Sequence, residues 1–213
     1  MNGMIKCLEI LGTVAFSISG AIEAMKKEMD LLGVLVLGLV TAVGGGIIRD
    51  LVIGQIPPAT FQNPQSAEIA LGVAVVAFVI GAIFSKREHT GKGAGWNYIL
   101  LISDAVGLGA FTIVGIRCAQ QQLGNENIAL LLFVGVVTGV GGGLMRDVFA
   151  GNIPYIFCKH VYATVSIAGA VLYLFVDYLG YPEFAAVVSL LLVLVLRLLA
   201  AHYQWNLPRV HLK

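Results

Sequence analysis

Composition and patterning point to an all-α integral membrane protein: seven transmembrane helices, built as two inverted three-helix repeats plus one C-terminal helix. Three observations carry that expectation. Of the 213 residues, 58% are hydrophobic and only 12% are charged, with a mean hydropathy of +0.90. Soluble chains carry roughly 25% charged residues. Apolar runs long enough to cross a bilayer, which takes about 20 helical residues, punctuate the chain. Finally, a seventeen-residue stretch occurs twice, as Thr41–Pro57 (TAVGGGIIRDLVIGQIP) and Thr138–Pro154 (TGVGGGLMRDVFAGNIP), with ten identical positions at a constant offset of 97.

Seven apolar segments follow in order. The first, Met4–Ala24, contains Glu9 and Glu23. Lys6 ahead of an apolar run also suits a cleavable signal, but cleavage would delete the first helix of a repeat, so the segment is expected to stay. The second, Leu31–Ile53, holds the first glycine-bearing copy, and the third is Ser66–Ser85, followed by the polar stretch Lys86–Gly93. The fourth is Asn97–Ile116, and the fifth, Ile128–Ala150, holds the second copy. Val161–Val176 is short, and Phe184–Ala201 is the seventh.

The repeat exceeds the motif. Ala15–Gly20 resembles Ala110–Gly115 at an offset of 95, where Gly12 also meets Gly107 and Glu9 meets Asp104. This suggests units over residues 4–85 and 97–178, with a last helix over 183–201. Three crossings per unit is odd, so the second unit is expected upside down relative to the first. Lys26, Lys27, Lys86, Arg87, Lys92, Lys159, Arg197, Arg209 and Lys213 fall on one side, against Lys6 and Arg117 on the other. By the positive-inside rule the N-terminus is outside and the C-terminus cytoplasmic. The expected location is a membrane that the chain crosses several times.

The repeated stretch carries the chemistry. Each copy opens on a threonine (Thr41, Thr138) and runs into three glycines (Gly44, Gly45, Gly46; Gly141, Gly142, Gly143). A glycine costs about 1 kcal/mol relative to alanine inside a helix. The triplets therefore serve close helix packing, or packing together with a kink that lines a polar path. Arg49 and Arg146 stand three residues after the last glycine. An arginine at mid-membrane costs about 2.5–3.5 kcal/mol on insertion scales, so it either faces a polar interior or snorkels to the nearby helix end. Asp50 and Asp147 follow directly, and neighbours on a helix point away from each other. Depth instead suggests Glu9–Arg49 and Asp104–Arg146 contacts, one per repeat, and no Arg49–Asp147 pair. Gly54 to Pro57 and Gly151 to Pro154 read as helix stops followed by loops.

Glu23, Glu68 and Asp177 sit at segment ends and read as solvated interfacial groups. Trp96, Tyr98, Tyr203 and Trp205 read as interfacial belt aromatics. Cys7, Cys118 and Cys158 offer no metal spacing, although Cys7 and Cys118 would share a membrane face. His89, His160, His202 and His211 are scattered. No Ser-His-Asp set, P-loop or metal motif is present, which argues against an enzyme and implies no cofactor. A net charge of +1 carries no basic signature for nucleic acid.

Duplicated G-G-G-x-x-R-D in the second and fifth of seven helices resembles the prokaryotic trimeric intracellular cation (TRIC) channel family, over roughly residues 5–201. That family also contains bacterial proteins described as glycine transporters. The resemblance implies a homotrimer in membrane lipid, each protomer with its own pore for K⁺ or Na⁺. It places Thr41, Gly44, Gly45, Gly46, Arg49, Asp50, Thr138, Gly141, Gly142, Gly143, Arg146 and Asp147 along that pore. Arginines there would repel the permeant ion unless acidic partners such as Glu9 and Asp104 neutralise them, or unless they act as a voltage-responsive gate. A secondary transporter of a small solute such as glycine would use the same helices.

Overall fold

The structure, a computed structural model, describes residues 3–85, 93–158 and 161–205. These form nine helices and no strand: α1 (Gly3–Lys26), α2 (Leu31–Val52), α3 (Ala59–Gln62), α4 (Gln65–Ser85), α5 (Gly93–Leu123), α6 (Ile128–Phe149), α7 (Tyr155–Cys158), α8 (Tyr162–Tyr178) and α9 (Pro182–His202). Lys86, Arg87, Lys92, Lys159, Arg209 and Lys213, which carry much of the charge asymmetry, lie outside the described residues, as do His89, His160 and His211.

Six helices (α1, α2, α4, α5, α6 and α9) are long and apolar enough to cross a bilayer. With 17 residues, α8 is shorter. At 1.5 Å per residue it reaches about 26 Å, the lower limit for a spanning helix. Each expected segment lies on one helix, and the main departure is α5, which continues past Ile116 to Leu123. Polar contacts hold its extra turns: Gln120 donates to Asp177 at 2.8 Å, and Arg117 lies 3.6 Å from the same carboxylate. The stretches after the two motifs, expected as plain loops, each contain a one-turn helix, α3 and α7.

Local chemistry sets the helix ends. Asp30 caps α2 by accepting from the Gly33 N–H at 2.8 Å, and Asn127 caps α6 by accepting from the Leu130 N–H at 3.0 Å. Gly54 and Gly151, at φ +78° and +68°, close the other ends. The residues after them, Gln55 and Asn152, donate back to the Asp50 and Asp147 carbonyls, both at 2.8 Å. This is the Schellman closure, and it needs a left-handed residue at those two positions.

Glycine notches decide how the helices cross. Gly45 lies against the Thr138 carbonyl oxygen and Gly142 against the Thr41 carbonyl oxygen, with no room for a Cβ at either. Residue 41 thus stands opposite 142, and 45 opposite 138, so α2 and α6 run antiparallel. Carried along that register, Arg49 and Arg146 are separated by about twelve helical residues, or about 18 Å. The same reciprocity joins α1 to α5: a Cβ on Gly12 would meet the Phe111 ring, and one on Gly107 the Phe16 ring. The two rings pack 5.3 Å apart at the centre.

Burial separates centre from periphery. In α5, 78% of the spanning window is buried, against 17% in α4. Val75, Val76, Val79 and Ile80 on α4, with Val187, Leu191 and Val195 on α9, are 42–57% exposed. Such an apolar surface suits lipid rather than water.

Candidate functional site

Both motif copies build the same end cap. Arg49 donates from Nε and Nη2 to Asp50 Oδ1, both at 2.8 Å, while Asp50 Oδ2 accepts from the Ala59 N–H at 2.7 Å. Arg146 donates from Nε and Nη2 to Asp147 Oδ1 at 2.9 and 2.8 Å, while Asp147 Oδ2 accepts from the Tyr155 N–H at 2.8 Å. The adjacent Arg and Asp do pair, contrary to the expectation from helix geometry. Their Cβ atoms diverge, but the long arginine stem wraps back around the last turn. The aspartate's second oxygen is held in place by the chain returning into α3 or α7. Neither arginine snorkels: Arg49 is 7% exposed and Arg146 is 1%.

At the Arg146 end the charges are closely packed. Asp104 Oδ1 accepts from Arg146 Nη1 at 2.6 Å and from the Tyr162 hydroxyl at 3.2 Å. Arg197 Nη2 lies 3.5 Å from Asp104 Oδ2, and Arg146 also donates to the Ser19 hydroxyl oxygen. The guanidinium carbons of Arg146 and Arg197 stand 5.3 and 4.6 Å from the Tyr155 and Tyr162 ring centroids. Burial pushes the Tyr155 phenol above the ordinary tyrosine range, so it caps this end as a neutral group.

Arg197 corrects the charge count. The positive-inside count sets it among the charges of the cytoplasmic side, but α9 carries it inward, where it is buried against Asp104. Its position in the run LLLVLVLRLLAA was the available signal: a lone arginine amid leucines and valines needs an acidic partner. Ser19 and Tyr162 left no comparable signal. Glu23 is also corrected. It is 5% exposed rather than solvated, accepts from Asn152 Nδ2 at 2.6 Å and faces Lys26 at 3.6 Å.

The Arg49 end is different. Arg49, Glu9, Thr13, Gly46, Ser66, Phe111 and Cys118 line a cavity of about 570 Å³ whose rim includes the exposed Lys6, Gln65 and Gln122. Among the described residues Arg49 takes Asp50 as its ion-pair partner, and Glu9 accepts from the Ser66 hydroxyl at 3.3 Å. The expected Glu9–Arg49 contact is therefore not made, although both side chains face one cavity. Arg49 is already satisfied by Asp50, and half-buried Glu9 keeps access to water. Cys7 and Cys118 are free thiols.

The remaining motif residues sit at the crossing. Thr41 and Thr138 donate back to the Leu37 and Val134 carbonyls at 2.5 and 2.6 Å. Gly44 packs on the Met145 sulfur, and Gly141 on the Gly45 Cα. Gly46 faces the cavity, whereas Gly143 lies beneath the Tyr162 hydroxyl and Asp104. Both helices stay α-helical through their triplets. A larger groove of about 790 Å³ between α1, α4 and α5, lined by residues such as Val14, Ile18, Val76, Phe84 and Trp96, has no ionisable group among its described lining residues.

A family model described as glycine transporter matches twice, over residues 6–82 and 101–178. The inner membrane protein YadS of Escherichia coli is 36% identical over 203 residues, covering 94% of this chain and 93% of its own. The membrane protein YvgT of Bacillus subtilis is 34% identical over 201 residues, covering 94% of each. Among solved structures, a TRIC cation channel studied for its conductance superposes with TM-score 0.80 at 40% identity, over 98% of both chains. The TRIC orthologue from Rhodobacter sphaeroides gives TM-score 0.84 at 32% identity, over 95% of this chain and 99% of its own.

Proposed function

The chain belongs to the family that the glycine transporter model describes, and from its likeness to solved TRIC channels we propose that it conducts monovalent cations, K⁺ or Na⁺, through a pore inside each protomer. The observation that carries this reading is the cavity beside Arg49 and Glu9, which reaches in to Thr13, Ala42 and Gly46 between α1, α2, α4 and α5. The pore residues are Thr41, Gly44, Gly45, Gly46, Arg49 and Asp50 from α2, with Thr138, Gly141, Gly142, Gly143, Arg146 and Asp147 from α6. Asp50, Asp104 and Asp147 offset the arginines, so the path does not present bare positive charge to a cation. Glu9 adds a carboxylate at the mouth.

The architecture we infer is seven crossings, with α8 as the sixth: two inverted units over residues 4–85 and 97–178, and a last helix over 183–201. Two separate family matches and the antiparallel α2–α6 pair support it. The protein works as a homotrimer in the plasma membrane, N-terminus outside and C-terminus cytoplasmic, and performs no enzymatic step.

A cavity open at one end also suits a transporter of a small zwitterion such as glycine, with Arg49 toward the carboxylate and Glu9 toward the amine. Reconstitution separates the two. Discrete unitary K⁺ currents across a planar bilayer support the channel. Saturable uptake of labelled glycine without unitary currents supports the transporter.

A further inference from the structure

Where the chain departs from its own repeat, polar departures gather in the cavity beside Arg49. Thr13 and Ser66 line it, and the equivalent positions of the second unit hold Leu108 and Ala163. Thr13 stands out among the buried threonines of the long helices. Thr41, Thr112 and Thr138 each donate to the carbonyl four residues earlier, at 2.5–2.7 Å. Thr13 is 1% exposed and lines the cavity, yet its hydroxyl makes no hydrogen bond among the described residues. Four residues earlier on α1 stands Glu9, the one carboxylate among the described lining residues. Its Oε1 accepts from the Ser66 hydroxyl at 3.3 Å. It makes no ion pair among the described residues, because Asp50 holds Arg49 at 2.8 Å and Lys6 stands exposed on the rim. Asp104, the equivalent of Glu9, is instead taken by Arg146 at 2.6 Å.

We propose that Glu9, Thr13 and Ser66 bind one partly dehydrated monovalent cation, and that this site, on α1 and α4 rather than on the glycine motifs, is where the path selects its ion. This rests on the pore reading above. The donors suit a hard cation, which takes oxygen ligands. Residues four apart on a helix have Cβ atoms about 5–6 Å apart, so one ion can lie between the Glu9 carboxylate and the Thr13 hydroxyl. The hydroxyls of Thr13 and Ser66 replace water that the ion sheds on entering. A single carboxylate balances a single positive charge, whereas a divalent ion draws on several acidic ligands. No group of three or more acidic, histidine or cysteine side chains gathers to hold such an ion among the described residues. The second unit cannot bind in this way: Leu108 and Ala163 carry no side-chain oxygen, and Asp104 is already paired.

The test measures the thermal midpoint of the purified full chain as choline chloride is replaced by KCl or NaCl at constant ionic strength. In the unsubstituted protein the midpoint rises with the cation, by about 2–3 °C at three times the half-saturating concentration. Glu9→Gln removes the rise. Thr13→Val, which loses the oxygen and nearly keeps the shape, raises the half-saturating concentration about tenfold. The same cation dependence in Glu9→Gln, an unchanged half-saturating concentration in Thr13→Val, or no cation dependence in the unsubstituted protein overturns the proposal. If Thr13→Val does not elute as the parent does, Ser66→Ala at the parent value overturns it instead. In planar bilayers Thr13→Val also shifts the reversal potential between K⁺ and Na⁺ solutions, and an unshifted potential overturns the selecting role. Absence of unitary current in the unsubstituted protein, with the Glu9-dependent rise intact, refutes the pore reading alone, because binding is measured without current.

Discussion

Asp104→Asn is a conservative change that strikes the buried charge cluster at its centre. The substitution keeps shape but removes the carboxylate that faces both Arg146 and Arg197. The group of Arg146, Arg197, Asp104 and Asp147, whose side chains are each 1–2% exposed, then goes from formal neutrality to +1. Removing one partner of a buried ion pair costs about 3–5 kcal/mol. Arg146 keeps Asp147 at 2.8 Å, which argues for the lower figure. For a chain of this size about 3 kcal/mol lowers Tm by about 6–12 °C. Glu9→Gln is the matched control, because Glu9 is half-buried at the cavity and its recorded bond is a 3.3 Å contact from Ser66. It should cost no more than about 1 kcal/mol. Fluorescence-detected size-exclusion after heating reads both in detergent. Equal shifts for the two variants, or none for Asp104→Asn, would show that the buried cluster does not hold the Arg146 end together.

Three further outcomes follow from the same geometry. Gly142→Ala drives a Cβ into the Thr41 carbonyl, and overpacking of this kind costs about 1–3 kcal/mol. Gly46→Ala meets open cavity and gains up to about 1 kcal/mol of helix propensity, so the two variants should move Tm in opposite directions. Asp147→Ala removes both the Arg146 pairing and the acceptor of the Tyr155 N–H. Hydrogen exchange should rise selectively at Tyr155, while the Ala59 amide, held by Asp50, stays protected. A cationic thiol reagent should reach Cys118 in Cys7→Ser, Cys158→Ser protein from the Arg49 side only, and the added charge should reduce K⁺ current. Equal reaction from both sides would contradict a one-ended cavity.

How much of this was legible depended on whether a feature repeats along the chain. The duplicated glycine motif gave the helices and the opposite placement of Arg49 and Arg146, because an offset of 97 is visible without coordinates. Depth counting brought Asp104 to Arg146, where the pair stands at 2.6 Å. The same counting put Glu9 beside Arg49 but could not foresee that Asp50 would satisfy the arginine first. That outcome depends on a side chain folding back and on a backbone N–H arriving from α3. Arg197 and Tyr162 escaped because they break the repeat. One comes from the unpaired helix α9, and the other replaces a glutamine at the equivalent position. Tertiary packing alone brings them to Asp104.

The path past Arg49 can be examined with a single pair of recordings. Unitary K⁺ conductance is compared between the unsubstituted protein and Arg49→Gln, first at low KCl and then at high KCl. Asp50 balances Arg49, so Arg49→Gln leaves a net unit negative charge, which at about 6 Å from the ion is worth about 0.7 kcal/mol in water, or roughly threefold in local cation concentration. Arg49→Gln should therefore raise conductance about threefold at low salt, with the difference fading as screening shortens to about 3 Å at 1 M. Equal conductances at every salt concentration would place the ion's route elsewhere, and saturable glycine uptake with no unitary current would remove the channel altogether.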